Sequence, residues 1–278
     1  MDYIPDAPLP GPQFDTLILS DLHLGSEISR AKEALDLLHT VCFKRLILLG
    51  DIFCDLNFRR LTKHHWKFLG HIRKLSNPKR DIQVIWVEGN HDEGLSDIMS
   101  HLVGVPVYKQ FVWEFAGKRH LAIHGHQFDR FVVNNASFSR VVEWVFHQVE
   151  KLDFGKKRLV RYLDRLNTRW LRLTAKVASG ALGYAKQVKA ERIFCGHTHV
   201  ALEQERDGIQ YFNSGAWIDS RCTYITVGEQ GVQIHEYTSQ PIDDSDPSQE
   251  REPAFAGLAE LPVPAGLFPD AAYKSLRC

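Results

Sequence analysis

The sequence predicts an α/β protein: a mixed β-sandwich flanked by helices, with a helical cap inserted late in the chain. Three observations carry this expectation. Short apolar runs rich in Ile, Leu and Val recur, each too short for a helix. Apolar residues keep helical spacing in the gaps between the first three runs. Two hairpin signatures follow near the C-terminal end of the patterned region.

TLILSD (16–21), RLILLGD (45–51) and IQVIWVEGN (82–90) read as the first three strands. Ile28, Ala31, Leu35 and Leu38 space a helix between the first two, and Trp66, Leu69, Ile72 and Leu75 one between the second and third. Such alternation gives a parallel sheet with helices packed against it. HLAIHGH (120–126) and RIFCGHTH (192–199) are two further strands, and hairpins turn at Asp207-Gly208 and Gln230-Gly231. Residues 1–13 read as an extended segment, 14–238 as the main domain, and about 130–190 as the cap within it. The cap carries thirteen Lys or Arg against four Asp or Glu, and its basic stretch 156–176 places Leu159, Tyr162, Leu163, Leu166, Trp170 and Leu173 on one face. It reads either as a solvated amphipathic pair closing over the sheet or as a basic, apolar-lined lid for a phosphate- and acyl-bearing substrate at a membrane face. Residues 239–278 hold six of the twelve prolines and the acidic run DDSDPSQERE, which suits an extended tail.

With 278 residues, 44% of them hydrophobic, the chain has ordinary globular composition and length enough for a sizeable core. A formal net charge of zero gives no expectation of a nucleic-acid partner. The five cysteines form no CxxC pair and are expected reduced, as in the cytoplasm. The Pro-rich acidic start lacks a signal-peptide pattern, and no apolar run approaches the roughly 20 residues of a spanning helix. The expected location is cytoplasmic, with peripheral contact on the inner membrane face through the anionic-lipid affinity of 156–176.

Function is written at the strand ends. The five runs finish in Asp21-Leu22-His23, Gly50-Asp51, Gly89-Asn90-His91-Asp92, His124-Gly125-His126 and Gly196-His197-Thr198-His199. Ligands collect at the carboxyl ends of strands in open α/β sheets, so these groups are expected to converge. They offer carboxylate, amide and imidazole donors without thiolate, a set suited to Mn, Fe(II) or Zn. There are too many donors for one ion. Two ions roughly 3.5–4 Å apart, sharing one carboxylate and a hydroxide, is the arrangement of two-metal phosphoryl transfer, with Asp51 the natural bridge.

The ordered series D-x-H, G-D, G-N-H-D, H and G-H-x-H resembles the calcineurin-like metallophosphoesterases over roughly residues 14–237. That resemblance implies two divalent metal ions, manganese foremost, with iron and zinc compatible. Asp21, His23, Asp51 and His199 would hold one ion; Asp51, Asn90, His124 and His197 the other. The implied reaction is attack on phosphorus by a metal-bridging hydroxide. His91, not a ligand in the family pattern, would stabilise charge or protonate the leaving group, and Asp92 would orient its ring or serve only as a turn residue. Asn90, His91 and His197 are the expected substrate contacts. His126 reads as a supporting rather than a ligating residue, and Asn213 and Ser214 either line the site or shape a turn.

More loosely, SDLHLGS, the cap and YFNSGAWIDSRCTYITV look like the UDP-2,3-diacylglucosamine diphosphatases of lipid A synthesis. This resemblance implies cleavage of a lipid-linked nucleotide pyrophosphate to UMP and a lipid 1-phosphate. The best-known members carry Asn-Arg-Asp and His-Gly-Asp where this chain has Asn90-His91-Asp92 and His124-Gly125-His126, which points to a sister group. The alternatives are a general phosphodiesterase or phosphatase on nucleotides or phosphoproteins and, outside enzymes, a binding scaffold on the same fold.

Overall fold

The computed structural model describes residues 13–55, 57–94, 100, 104–129, 168–218 and 221–238. Residues 1–12 and 239–278, and most of the cap (130–167) with most of its basic stretch, lie outside these.

Two mixed sheets face each other. In the first, β1 (Gln13–Leu19), β2 (Cys42–Leu49), β3 (Gln83–Val87) and the short β4 (Val107–Tyr108) run parallel and side by side. β10 (Thr223–Gly228) pairs antiparallel with β1, and β11 (Gly231–Glu236) forms the edge. In the second sheet β6 (Lys118–Ala122), β7 (Arg192–Cys195) and β9 (Ile209–Asn213) are parallel neighbours. They are flanked by antiparallel β5 (Phe111–Phe115) and β8 (Leu202–Arg206).

Three apolar layers hold these parts. Between the sheets, Ile18, Ile47, Leu49, Ile85 and Val87 meet Trp113, Ala122, Phe194 and Phe212. On the outer face of the first sheet lie α1 (Ala31–Thr40) and α2 (Lys63–Leu75), which bury Leu37 and Phe68 and, of the residues spaced in sequence, Ala31, Leu38, Leu69, Ile72 and Leu75; Ile28 precedes α1 and Trp66 is exposed. On the outer face of the second sheet lies α3 (Thr168–Gln187), with Ala178, Ala181, Leu182 and Ala185 against Leu121, Ile193 and Tyr211. The C-terminal part of the expected cap is thus a sheet-covering helix. Each buried aliphatic side chain contributes about 1.5–3 kcal/mol, so these layers fix where the strands end.

Two local expectations are corrected. The last hairpin turns at Glu229-Gln230, because Gly228 pairs with Gly231 as the closing residues of the ladder. The run VYKQFVWEF, unassigned in sequence, contains β4 and β5; β5 turns into β6 through left-handed Ala116 (φ 49°) and Gly117 (φ 71°).

Candidate metal centre

All five polar blocks emerge at the carboxyl ends of parallel strands, from β1, β2 and β3 on one sheet and β6 and β7 on the other. The chain stays paired past the strands. Asp21 N–H donates to the Gly50 carbonyl and His23 N–H to the Asp51 carbonyl, both at 3.0 Å. Across the second sheet, Gly196 N–H donates to the His124 carbonyl at 2.9 Å. Within these loops Asp21, His23, Asp51, His197 and His199 have φ of 52°, 46°, 50°, 68° and 55°. The left-handed region is uncommon for residues bearing Cβ, although Asp and His tolerate it better than most. Here it breaks the two-residue alternation, so His197 and His199 aim at different partners.

Two donor clusters result. Asp21, His23 and His199 each bring one donor atom within 4.8 Å of the others, and Asp51, His124 and His197 do the same. In the first, His23 Nε2 and His199 Nε2 stand 3.2 Å apart, and Asp21 Oδ1 lies 3.2 Å from His199 Nε2 and 3.9 Å from His23 Nε2. In the second, His124 Nε2 is 3.2 Å from Asp51 Oδ2. Ligands bound at about 2.1 Å to one first-row ion stand roughly 3.0–3.4 Å apart, so the three 3.2 Å spacings suit a cation and the Asp21–His23 pair is wider. Asn90 Oδ1 and His124 Nε2 are buried and make no hydrogen bond among the described residues. Leaving such atoms unmet costs about 1–3 kcal/mol each, and a divalent cation would meet them. The donors present therefore fit divalent metal ions.

Glycines make the convergence sterically feasible. A Cβ at Gly50 would overlap the His124 ring, one at Gly89 the Asp51 carboxylate and amide, and one at Gly196 the Asp21 carboxylate and Ser20. Each of these three glycines is the slot into which a donor from another block packs.

The charges agree with the geometry. Burial pushes the Asp21 carboxyl up, but the hydrogen bond and charge of His199 outweigh it and hold the group below its ordinary range. Burial likewise opposes ionisation of Asp51, and the charges of His124 and His91 bring it well below. Burial, then repulsion from His91 and His199, depresses His23 to about 3. Two ionised carboxylates favour positive charge among these imidazoles: against the effect of burial, Asp51 raises His124 to about 9.

His91 sits at the rim, its Nδ1 2.6 Å from the Cys54 carbonyl and its Nε2 3.9 Å from Asp51 Oδ2. The Cys54 carbonyl therefore stands at the ring nitrogen for which Asp92 was the expected partner. Asp92, 1% exposed, instead accepts the backbone N–H groups of Ile52 and Phe53 at 3.1 and 3.0 Å, fixing the loop after Asp51. Burial and the Asp51 charge raise its carboxyl to about 6. His126 lies beside the second cluster, its ring centroid 5.5 Å from that of His124. Asn213 and Ser214 are fully buried behind the last block. Asn213 Nδ2 donates to the Gly196 carbonyl (2.6 Å) and Thr198 Oγ1 (3.1 Å), and the Ser214 hydroxyl meets that of Ser20 at 2.7 Å. Sequence reading missed Asp129, a buried carboxylate whose Oδ2 lies 3.6 Å from His197 Nε2. Its only sequence signal is its place five residues after His124.

Facing sheets that present two carboxylate–imidazole clusters from their strand ends define a protein built to bind divalent metal. The family model of the calcineurin-like phosphoesterase superfamily domain matches residues 15–228, and the chain belongs to that superfamily. It is a metal-dependent phosphoesterase. Among solved structures it is similar to the phosphoesterase YfcE from E. coli (16% identity, TM-score 0.43, covering 80% of this chain and 99% of that one). It is also similar to an archaeal phosphodiesterase (12%, 0.43, 80% and 98%) and to zinc-complexed Vps29 from Entamoeba histolytica (16%, 0.38, 80% and 97%). No curated protein matches the sequence significantly. Among the described residues no helix is long and apolar enough to cross a membrane.

Proposed function

We propose that the chain is a dinuclear hydrolase in which Asp21, His23, Asp51 and His199 hold one ion and Asp51, Asn90, His124 and His197 the other. The pair of three-donor clusters, each within 4.8 Å, carries this reading. Manganese is the proposed ion, since the donors are oxygen and imidazole nitrogen without thiolate; iron and zinc share that preference. When bound, two such ions acidify water toward neutrality and neutralise charge on a phosphoryl group. The protein's own share is positional. Asp51 joins the clusters and accepts the His91 N–H at 2.9 Å, tying the third block to the second. Leu49 takes His124 Nδ1 at 2.9 Å, which turns Nε2 to the site. Asn90, His91 and His197 line the place for the phosphoryl oxygens. His91, with Nδ1 on a carbonyl, presents Nε2 as the group that steadies charge or gives a proton to the leaving oxygen.

For substrate we propose the pyrophosphate of UDP-2,3-diacylglucosamine or a similar lipid-linked nucleotide. SDLHLGS and YFNSGAWIDSRCTYITV support it, as does the basic stretch 156–176, which would meet an anionic membrane. Purified protein with Mn should release UMP from that substrate and float with anionic liposomes at low salt; no UMP removes the substrate, and no flotation removes the membrane contact. One observation favours a second reading, a general phosphodiesterase or phosphatase. An imidazole proton donor at position 91 serves an alkoxide leaving group, whereas a phosphate leaving group needs little protonation. Hydrolysis of bis(p-nitrophenyl) phosphate without UMP release would select it.

A further inference from the structure

His124 and His91 each rest one ring nitrogen on a backbone carbonyl, of Leu49 and of Cys54. His197 has no such hydrogen bond at Nε2 among the described residues, although it is only 8% exposed. The atom it faces is Asp129 Oδ2, at 3.6 Å. Asp129 itself is 2% exposed, and a carboxylate so buried persists only with compensating partners. Its backbone is fixed. After His124 the chain turns through left-handed Gly125 (φ 110°) into a 3-10 turn, His126–Phe128, and Asp129 N–H closes onto the His126 carbonyl at 3.0 Å. Phe128 presses this turn against α3, where a Cβ at Gly180 would approach Phe128 Cβ to 2.9 Å. One strand end therefore delivers both His124 and, five residues on, a carboxylate aimed back at the imidazole from the neighbouring strand.

We infer that Asp129 is the positioning residue for His197, accepting the Nε2 hydrogen so that Nδ1 is the nitrogen turned to the second ion. A separation of 3.6 Å is an ion-pair distance, and a closure of about 0.7 Å brings it to a charge-assisted hydrogen bond. Such a partner fixes the tautomer, orients the ring and raises its basicity, and losing one costs typically 10–100-fold in metal affinity. The inference rests on the dinuclear reading, and it assigns Asp129 to one ion only.

Mn(II) binding by calorimetry, with electron paramagnetic resonance of the loaded protein, tests it in the full chain. Wild type should take up two ions with a spin-coupled spectrum. Asp129→Ala should weaken one ion about 10–100-fold, leave the other unchanged, and give the spectrum of isolated ions at equal loading. Asp129→Asn, which keeps an acceptor oxygen without the charge, should fall between. In a His197→Ala background, Asp129→Ala should change Mn affinity less than about twofold. Long-range proton–nitrogen NMR of the zinc-loaded wild type needs no variant and should find the His197 proton on Nε2. A proton on Nδ1, two ions held with wild-type affinity by Asp129→Ala, or equal weakening of both ions would each overturn the inference. A wild type that takes up no second ion removes the dinuclear reading and this inference with it.

Discussion

Gly89→Ala isolates the packing of one proposed ligand from every other variable. Gly89 does not have a left-handed φ, so alanine meets no intrinsic backbone penalty there. The added Cβ would lie 2.9 Å from Asp51 Cγ and nearer still to Asp51 Oδ1 and its backbone nitrogen. Ordinary contact begins near 3.4 Å, so clearing the Asp51 backbone nitrogen requires the two segments to separate by about 1 Å. Because the backbone nitrogen is among the clashing atoms, no rotamer change of Asp51 relieves it. Metal–ligand bonds tolerate about 0.2 Å, and misplacements approaching 1 Å cost on the order of 100-fold in rate. We expect kcat/KM on bis(p-nitrophenyl) phosphate to fall about 100-fold, equivalent to ~2.7 kcal/mol, with loss of Mn from at least one site by elemental analysis. Gly70→Ala is the control: it lies within α2 with nothing within 4 Å, and should leave activity intact while stabilising the helix by about 0.5–1 kcal/mol. A Gly89→Ala protein that holds both ions and works within threefold of wild type would refute the packing argument and the bridging role of Asp51 together.

Three further outcomes are expected. His120 is buried with Nδ1 on the Lys118 carbonyl and Nε2 3.4 Å from Arg192, and burial holds it neutral with a pKa of about 4. The unfolded chain takes up that proton below about 6.5, so stability falls as pH drops from 6.5 toward 4 and is level outside that window. Discounted for screening, wild type should lose on the order of 1–2 kcal/mol more than His120→Phe between pH 7 and 5 in urea unfolding; parallel curves would exclude the mechanism. Asn213→Ala strands the Gly215 N–H that Asn213 Oδ1 accepts at 3.0 Å and removes the amide donor from the Gly196 carbonyl, which keeps only the Thr198 N–H at 2.8 Å. It should cost about 3 kcal/mol, or roughly 6–12 °C in Tm by calorimetry, and an unshifted Tm would show the network to be dispensable. Chelation should abolish hydrolysis yet leave the circular dichroism spectrum folded, and Mn at 100 times Kd should restore about 2.7 kcal/mol per ion. Unfolding on chelation would mean that metal holds the fold together.

Much of this architecture could be read from the residues because burial and periodicity are local signals. Leu17, Leu46 and Trp86 sit in runs that only a sheet buried on both faces would contain, and α1 and α2 repeat their apolar residues every three or four positions. The donor residues were legible because each run ends on them. Orientation was not. Whether His91 rests on Asp92 or on the Cys54 carbonyl depends on how the loop after β2 folds back, a contact between residues 37 apart. Asp129 meets His197 across 68 residues of chain, through a turn whose direction Gly125 sets with a φ no sequence pattern specifies. The missed β5 was available, since Trp113 buried between exposed Val112 and Glu114 is a two-residue alternation leading into Ala116-Gly117.

The left-handed backbone at Asp21, His23, Asp51, His197 and His199 bears on when the site forms. At about 1–2 kcal/mol each, five such residues store roughly 5–10 kcal/mol, comparable with the whole stability of an ordinary domain. The two proposed metal ions at 100 times Kd would return about 5 kcal/mol in total, only the low end of that range, which leaves no surplus for metal alone to impose that backbone on an otherwise relaxed chain. The strain must therefore be held by what surrounds it. The Asp21–Gly50 and His23–Asp51 backbone bonds provide this, as do the His197 N–H on both Asp21 carboxylate oxygens (3.2 and 3.1 Å) and the apolar layers beneath. Donors fixed in this way before any ion arrives need little rearrangement to bind it, and preorganisation of that kind is what electrostatic stabilisation of a phosphoryl transition state requires.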